Sequence, residues 1–315
     1  MSNCVINNKF QHINKYTDYL LLNTMEVNLK YFLDYAFLNI GAWTDISIDQ
    51  PQIFASSLSN LTHVEDPAFQ NGQVWQGNRK AWVWEEDINF LNNSPELINS
   101  VIVNDSVVST GFNIDYTNGR LIFDNPISTN SEVKISHSYR NVQVYRASDT
   151  PWWQLLQSDS FEPNQISINN NDWSIGSYHR VQMPCIIIDA VARSQNLPFE
   201  LGNKSLIIEQ DVIFNILAES KNERNQLLDI IRVQQDNTIW LYDINKAAKN
   251  NVLPLDYNGF KNPSGLSYTN LVNNYKWGKM FFKNISLSEV QSFNINLFEG
   301  IVRVTFEIIF DGFNS

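Results

Sequence analysis

Apolar residues first recur at helical spacing between positions 25 and 40, where Leu29, Phe32, Leu33, Ala36, Phe37 and Ile40 share one face. Thr24 stands where an N-cap belongs and Gly41 where a helix stops, so the pattern predicts a first helix over 25–40. A short strand is predicted over 43–48, ended by Pro51. The period then changes. Residues 100–108 hold two β-branched runs about the turn pair Asn104-Asp105, and Asn118-Gly119 is a hairpin turn because both residues tolerate positive φ. Over 132–145, Val133, Ile135 and Tyr139 alternate with Lys134, Ser136 and Arg140. Short strands and frequent turns predict an antiparallel β module over 85–145. Residues 146–180 are polar and irregular, an ordered connection anchored by Trp152, Trp153 and Trp173.

The second half of the chain is more regular. Cys185–Ile188 reads as a short buried strand. Residues 205–218 read as a long one, with Leu206, Ile208, Val212, Phe214, Ile216 and Ala218 on one face and Glu209, Asp211 and Asn215 on the other. Ser220 and Glu223 form a capping box that opens a helix over 221–234, with Leu227, Leu228 and Ile231 as its inner stripe. A strand follows at Thr238–Tyr242, then a loop with Pro254, Gly259 and Pro263. The last strand, 300–310, sets Val302, Val304, Phe306, Ile308 and Phe310 against Arg303, Thr305 and Glu307. The predicted fold class is α+β: an α/β sandwich with a mixed sheet, plus an inserted small antiparallel β module. Residues 1–84 are assigned to an N-terminal helix and extended segment of the core, 85–145 to the inserted module, and 146–315 to the connection and the rest of the core.

Composition narrows the class. The chain has 315 residues, 43% apolar, with 9 Trp, 12 Tyr and 19 Phe, enough to bury a real core. Charged residues are scarce at 17%, and the net charge is -11. That acidic balance, without Lys/Arg clusters, argues against a duplex-binding surface. Two cysteines, Cys4 and Cys185, exclude a disulfide framework and a four-thiolate zinc site. Transmembrane-length apolar runs and a signal-peptide pattern are lacking, so a soluble intracellular product with no membrane partner is expected.

Candidate chemistry is sparse. His12, His63, His137 and His179 stand far apart and outside any HExxH or CxxC context, and nothing resembles a P-loop, GxGxxG or GxSxG. Cys185 lies in an apolar strand, where a thiol is inert packing. The cluster Glu85-Glu86-Asp87 reads as a solvated turn in preference to a cation site, since no further oxygen ligands follow. The expectation is therefore a non-enzymatic protein with no catalytic, cofactor-binding or metal-binding residues. Trp75, Trp82, Trp84, Trp152 and Trp153 remain. They read as core or subunit-interface anchors ahead of a glycan- or base-stacking platform.

One stretch carries a likeness. Gln182-Met-Pro-Cys-Ile-Ile-Ile-Asp189, Phe199-Glu-Leu-Gly202, Gln210-Asp-Val-Ile-Phe-Asn-Ile-Leu-Ala-Glu219 and Arg224-Asn-Gln-Leu-Leu-Asp-Ile230 resemble the core of bacteriophage tail terminator, or tail completion, proteins. Phe32-Leu-Asp-Tyr-Ala-Phe-Leu-Asn-Ile-Gly41, Asp66-Pro-Ala-Phe69, Gly72-Gln-Val-Trp75, Trp82-Val-Trp84 and Asp115-Tyr-Thr-Asn-Gly-Arg-Leu-Ile-Phe123 are similar to uncharacterised virion proteins of tailed phages. The resemblance implies a homo-oligomeric ring, usually a hexamer, in the neck of the virion. Such a ring caps the tail tube protein and meets the head connector or stopper protein, with the tail sheath as a further partner if the tail is contractile. DNA would pass through its lumen without specific binding. Glu209 and Asp211 are expected to face solvent, in one reading the lumen, where negative charge repels DNA. The family's members are usually shorter than this chain. The alternatives are another neck or head-closure protein, a receptor- or glycan-binding tail protein and, remotely, a hydrolase.

Overall fold

The computed structural model describes residues 21–48, 58–157, 166–169, 172–175, 179–198, 206–288, 292–294 and 297–310. Helix α1 (Leu21–Asn39) buries Met25, Leu29, Leu33 and Phe37 on its apolar face, but it contains Thr24 instead of starting after it, and Ile40, past its end, is exposed. It stops at Gly41, which takes φ +80° and lies so near Phe90 that a Cβ would stand 2.6 Å from the ring. Only glycine meets both demands there.

Ten short strands follow: β1 (Trp43–Ile46), β2 (Asn60–His63), β3 (Val74–Gln76), β4 (Val101–Val103) and β5 (Ser106–Val108), then β6 (Phe112–Asp115), β7 (Arg120–Phe123), β8 (Val133–Lys134), β9 (His137–Arg140) and β10 (Gln143–Arg146). Seven of them form an antiparallel sheet in the order β5-β4-β8-β2-β3-β7-β6. Asn118-Gly119 makes the β6–β7 turn, as expected, with Asp115 Oδ1 accepting from the Asn118 amide at 3.0 Å. The β module is therefore present, but it starts near residue 58 and not at 85, because β2 and β3 lie in the middle of its sheet. The stretch 132–145 is three strands and not one. β8 belongs to the module, β9 pairs with β1, and β10 leaves to join the core.

Residues 146–180 are more regular than predicted. They hold a short helix, α2 (Pro151–Leu156), and a small antiparallel sheet of β11 (Ile166–Asn169), β12 (Asp172–Ile175) and β13 (His179–Val181). The main sheet then builds from β14 (Cys185–Pro198), β15 (Leu206–Ala218), helix α3 (Lys221–Arg232) and β16 (Thr238–Tyr242). After α4 (Ile244–Lys249) and α5 (Tyr268–Asn274) it is completed by β17 (Lys276–Ser288), β18 (Ser292–Asn294) and β19 (Leu297–Phe310). Its order is β10-β14-β15-β19-β17-β16, with β18 beside β19. Only β10 runs parallel to its neighbour, so the sheet is mixed and the fold is α+β.

Helices α1 and α3 cover one face of this sheet. Even-numbered residues of β15 and β19, Val212, Phe214 and Ile216 with Val302, Val304 and Phe306, meet Leu29, Leu33 and Leu227 there. Phe306 is the hub, edge-on to Phe282 with ring centroids 4.6 Å apart and to Phe214 at 6.3 Å. The Ser220 cap on α3 forms as read: its Oγ accepts from the Glu223 amide at 3.2 Å. The buried strand predicted at 185–188 runs on to Pro198.

Candidate functional site

Period-2 alternation sends the odd-numbered residues of β15 and β19 to the face that the two helices leave open. There the register sets Glu209 opposite Glu307 and Asp211 opposite Thr305. Two carboxylates directly opposite repel one another. Lys283 of β17 resolves the clash: its Nζ donates to Glu209 and, at 3.1 Å, to Glu307 Oε2. Two residues along, Asp211 Oδ2 accepts from Arg303 Nη2 at 2.5 Å and Oδ1 from Thr305 Oγ1 at 2.7 Å. Arg193 of β14 approaches the same carboxylate at 3.6 Å. Charge thus runs across β14, β15, β19 and β17 as one ladder.

Burial works to raise the Asp211 pKa, but the Thr305 and Arg303 hydrogen bonds and the two guanidinium charges outweigh it and hold the carboxyl below its usual range. The hydrogen bonds from Lys283 to Glu209 and Glu307 raise the lysine's own pKa. Further along the open face, Glu299 is 3% exposed, opposite Leu217, and desolvation pushes its carboxyl up to about 7.

These placements correct the expected exposure of Glu209 and Asp211. Both lie on the open face, but Asp211 is buried and Glu209 half-buried, and each is neutralised by cations. The negatively charged surface expected there is a balanced ion-pair network instead. Arg303 and Glu307 were visible as the polar side of a strand; Lys283 was not, because its strand was not recognised.

A second polar cluster joins the module to the core. Arg140 of β9 and Glu85 form a buried pair in which Nη2 donates to both carboxylate oxygens, at 2.5 and 2.7 Å, while Nη1 donates to the Asp34 carbonyl of α1 at 3.2 Å. They line a cleft of about 570 Å³ with Tyr31, Trp84, Tyr116 and Tyr145. Its other charges are committed: Lys30 to Asp34 at 2.7 Å, Arg146 to Asp149, and Lys80 to the Arg180 carbonyl at 2.6 Å. The reading of Glu85-Glu86-Asp87 as a solvated turn therefore fails at Glu85, which ties the β3–β4 connection to β9.

The five tryptophans part company. Trp75, Trp82, Trp152 and Trp153 are at most 5% exposed, so they anchor the inside of the subunit and present no platform. Trp75 Nε1 donates to the Gly72 carbonyl at 3.1 Å, and Trp82 lies 4.9 Å from the His137 ring. Burial pushes that histidine's pKa down to about 4. Trp152 and Trp153 pack with α2 against Cys185, Ile187 and Leu217. Burial also pushes the Cys185 thiol well above its ordinary value, in keeping with inert packing. Trp84 alone is half-buried, on the cleft wall. Among the described residues, no helix is long and apolar enough to cross a membrane.

Comparisons of the chain with protein families, with curated proteins and with solved structures find no match.

Proposed function

We propose that this protein is a non-catalytic structural component of a tailed-phage virion, a tail terminator that closes into a ring at the head–tail junction. The observation that carries the reading is the polar half of the main sheet's second face. The four long strands, 13 or 14 residues each, carry α1 and α3 on one face; on the other, α2 packs at the Cys185–Leu217 end and an ion-paired polar surface covers the Glu209–Glu307 end. A wall around an aqueous lumen needs such a stretch: a helix-backed side turned outward and, over the ion-paired part, a hydrated side turned in. Glu209, Asp211 and Glu307 each hold a cation. The face therefore offers passing DNA no basic strip on which phosphates would be retained by counterion release.

On this reading six copies surround the lumen, with the tail tube protein against one end of the ring and the head connector or stopper protein against the other. The sequence likeness over 182–230 supplies the position, and the sheet supplies the geometry. A glycan-binding tail role draws no support from the tryptophans, since four of the five are buried. Mass photometry of the purified protein, with imaging of intact particles, tests the proposal. A closed six-fold ring at the neck is expected; a monomer in the particle overturns it.

A further inference from the structure

Among the described residues, two of the main sheet's long strands, β14 and β17, leave part of an edge unpaired, and these stretches lie at opposite corners. β10 covers β14 only over Cys185–Ile188. The distal part of β14, through Ser194, Gln195 and Asn196, is exposed, pairs with β15 on one side and has no strand on its other side among the described residues. On the far side β16 covers β17 only as far as Phe281, and the Asn237 and Asp236 backbone completes the pairing at Phe282. Beyond it Asn284, Ile285, Ser286 and Leu287 again lie at an edge with no strand outside them among the described residues.

We propose that successive copies join head to tail by pairing these two edges, the free half of β14 in one copy adding antiparallel to the free half of β17 in the next. The proposal rests on the ring-forming reading above and names its interface.

Four observations carry it. The first is direction. β14, β15, β19 and β17 alternate in sense, so β17 of one copy meets β14 of the next as an antiparallel pair when the copies share one orientation.

The second is the lack of edge protection. Proteins guard free edges with lysine, proline or a covering element. Ser194 to Leu197 and Asn284 to Ser288 contain no charge, and the proline of these edges, Pro198, comes only at the last residue of β14. The charges that border them, Arg193 and Lys283, are turned onto the open face in ion pairs with Asp211, Glu209 and Glu307.

Face continuity comes third. Asn196, level with Ile208, lies on the helix side, as does Ile285, level with Val304. Gln195 and Ser286 lie on the open side. Setting Asn196 against Ile285 therefore sets Gln195 against Ser286, and both faces run on unbroken. Leu287, 47% exposed at its edge, gains a neighbour on the helix side.

The fourth is closure. Within one copy Asn196 is level with Ile308 and Ile285 with Val304, so this register offsets neighbours by four residues of β19. That is ~13 Å along the strands against ~19 Å across four strands. The resulting strand inclination of ~35° falls at the value closed barrels require, about 35–45°. A heterologous contact makes a ring when its rotation closes, and this offset supplies the tilt that such a closure needs.

Engineered disulfides test the register on the full-length protein with Cys4 replaced by serine. Directly opposite residues have Cα atoms about 4.5–5.5 Å apart, within the Cα separation that a disulfide spans. The double variant Gln195→Cys/Ser286→Cys should give, under mild oxidation, a covalent ladder ending at the full ring. An equimolar mixture of the two single variants should stop at dimers, and neither single variant alone should cross-link. The control Gln195→Cys/Leu287→Cys, which sets the thiols on opposite faces, should yield at least tenfold less product. Far-ultraviolet circular dichroism checks that each variant folds. Rings that form without cross-links, in this pair or with the β17 cysteine moved two residues either way, overturn the interface and leave the ring. Dimers from Gln195→Cys alone show a two-fold contact and also overturn it. Absence of any oligomer, in solution or in the particle, overturns the ring reading together with the interface.

Discussion

Asp211 and Arg303 meet diagonally across the β15–β19 ladder, Oδ2 2.5 Å from Nη2, with Asp211 only 5% exposed. The carboxylate is taken from water, so its partners decide whether the strand tolerates it. Replacing Asp211 with lysine sets a third cation beside Arg303 and Arg193 and should destabilise the fold by ~3–5 kcal/mol. Glu209→Lys, at a half-buried site where Glu307 still holds Lys283, should cost at most ~1 kcal/mol. Urea unfolding of the two variants checks the contrast; equal effects would remove the distinction between the sites.

The same pair sets an acid limit. The Asp211 pKa is lowered from 3.8 on folding, so its contribution is fully present above that value and is lost as pH falls through the folded pKa. Asp211→Asn should therefore flatten the acid limb of the stability–pH curve below pH 4 and leave its shape near neutrality unchanged. Unfolding midpoints between pH 2.5 and 6 measure this.

Glu299 works in the opposite sense. Burial raises its pKa from 4.5 to about 7, so the protonated form is the one the fold prefers. Stability from this group is fully present below pH 4.5 and is lost as pH rises through about 7. Glu299→Gln should stabilise the protein on the order of 2 kcal/mol at pH 8 and little at pH 4.5. Thermal melts at the two pH values read the difference; the same gain at both would show that the carboxyl does not titrate between them.

Arg140 and Glu85 fasten the β module to the core. Removing one partner leaves a buried charge, so Glu85→Gln should cost ~3–5 kcal/mol. The double variant Glu85→Leu/Arg140→Met should recover most of that, since a buried pair replaced by apolar groups of similar size is often neutral. A double-mutant cycle in urea provides the measurement.

The first glycine tests a local constraint. Gly41 sits at φ +80° with the Phe90 ring 2.6 Å from where a Cβ would stand. Gly41→Ala meets both backbone strain and a clash, and should lower stability by ~1–3 kcal/mol. An unchanged melting temperature would show that the ring moves aside freely.

Elements governed by neighbours in sequence were legible from the chain alone. The apolar stripe of α1, the Ser220–Glu223 box, the Asn118-Gly119 hairpin, the 238–242 strand and the alternation of β15 and β19 all rest on local periodicity or local hydrogen bonds, which residue order determines. β17 escaped for a physical reason. Its register shifts between Phe282 and Asn284, so Met280 and Phe282 face the core on one parity and Ile285 on the other, and no alternation survives in the sequence. The register shift between Ala190 and Ser194 hid the far half of β14 in the same way.

Partners distant in sequence were settled only by the tertiary fold. Glu209 and Asp211 read as solvated acids because a strand's polar side ordinarily meets water. Their cations arrive from Lys283, Arg303 and Arg193, on three other strands. Glu85 read as part of a charged turn until Arg140, 55 residues away, closed on it. The tryptophans announced that something large would be buried, but whether inside one subunit or between two depended on the packing of the β module and α2. Residue order sets which side chains share a face, because the backbone period is local. Which face meets another, and which charge meets which, is decided when the strands are brought into register.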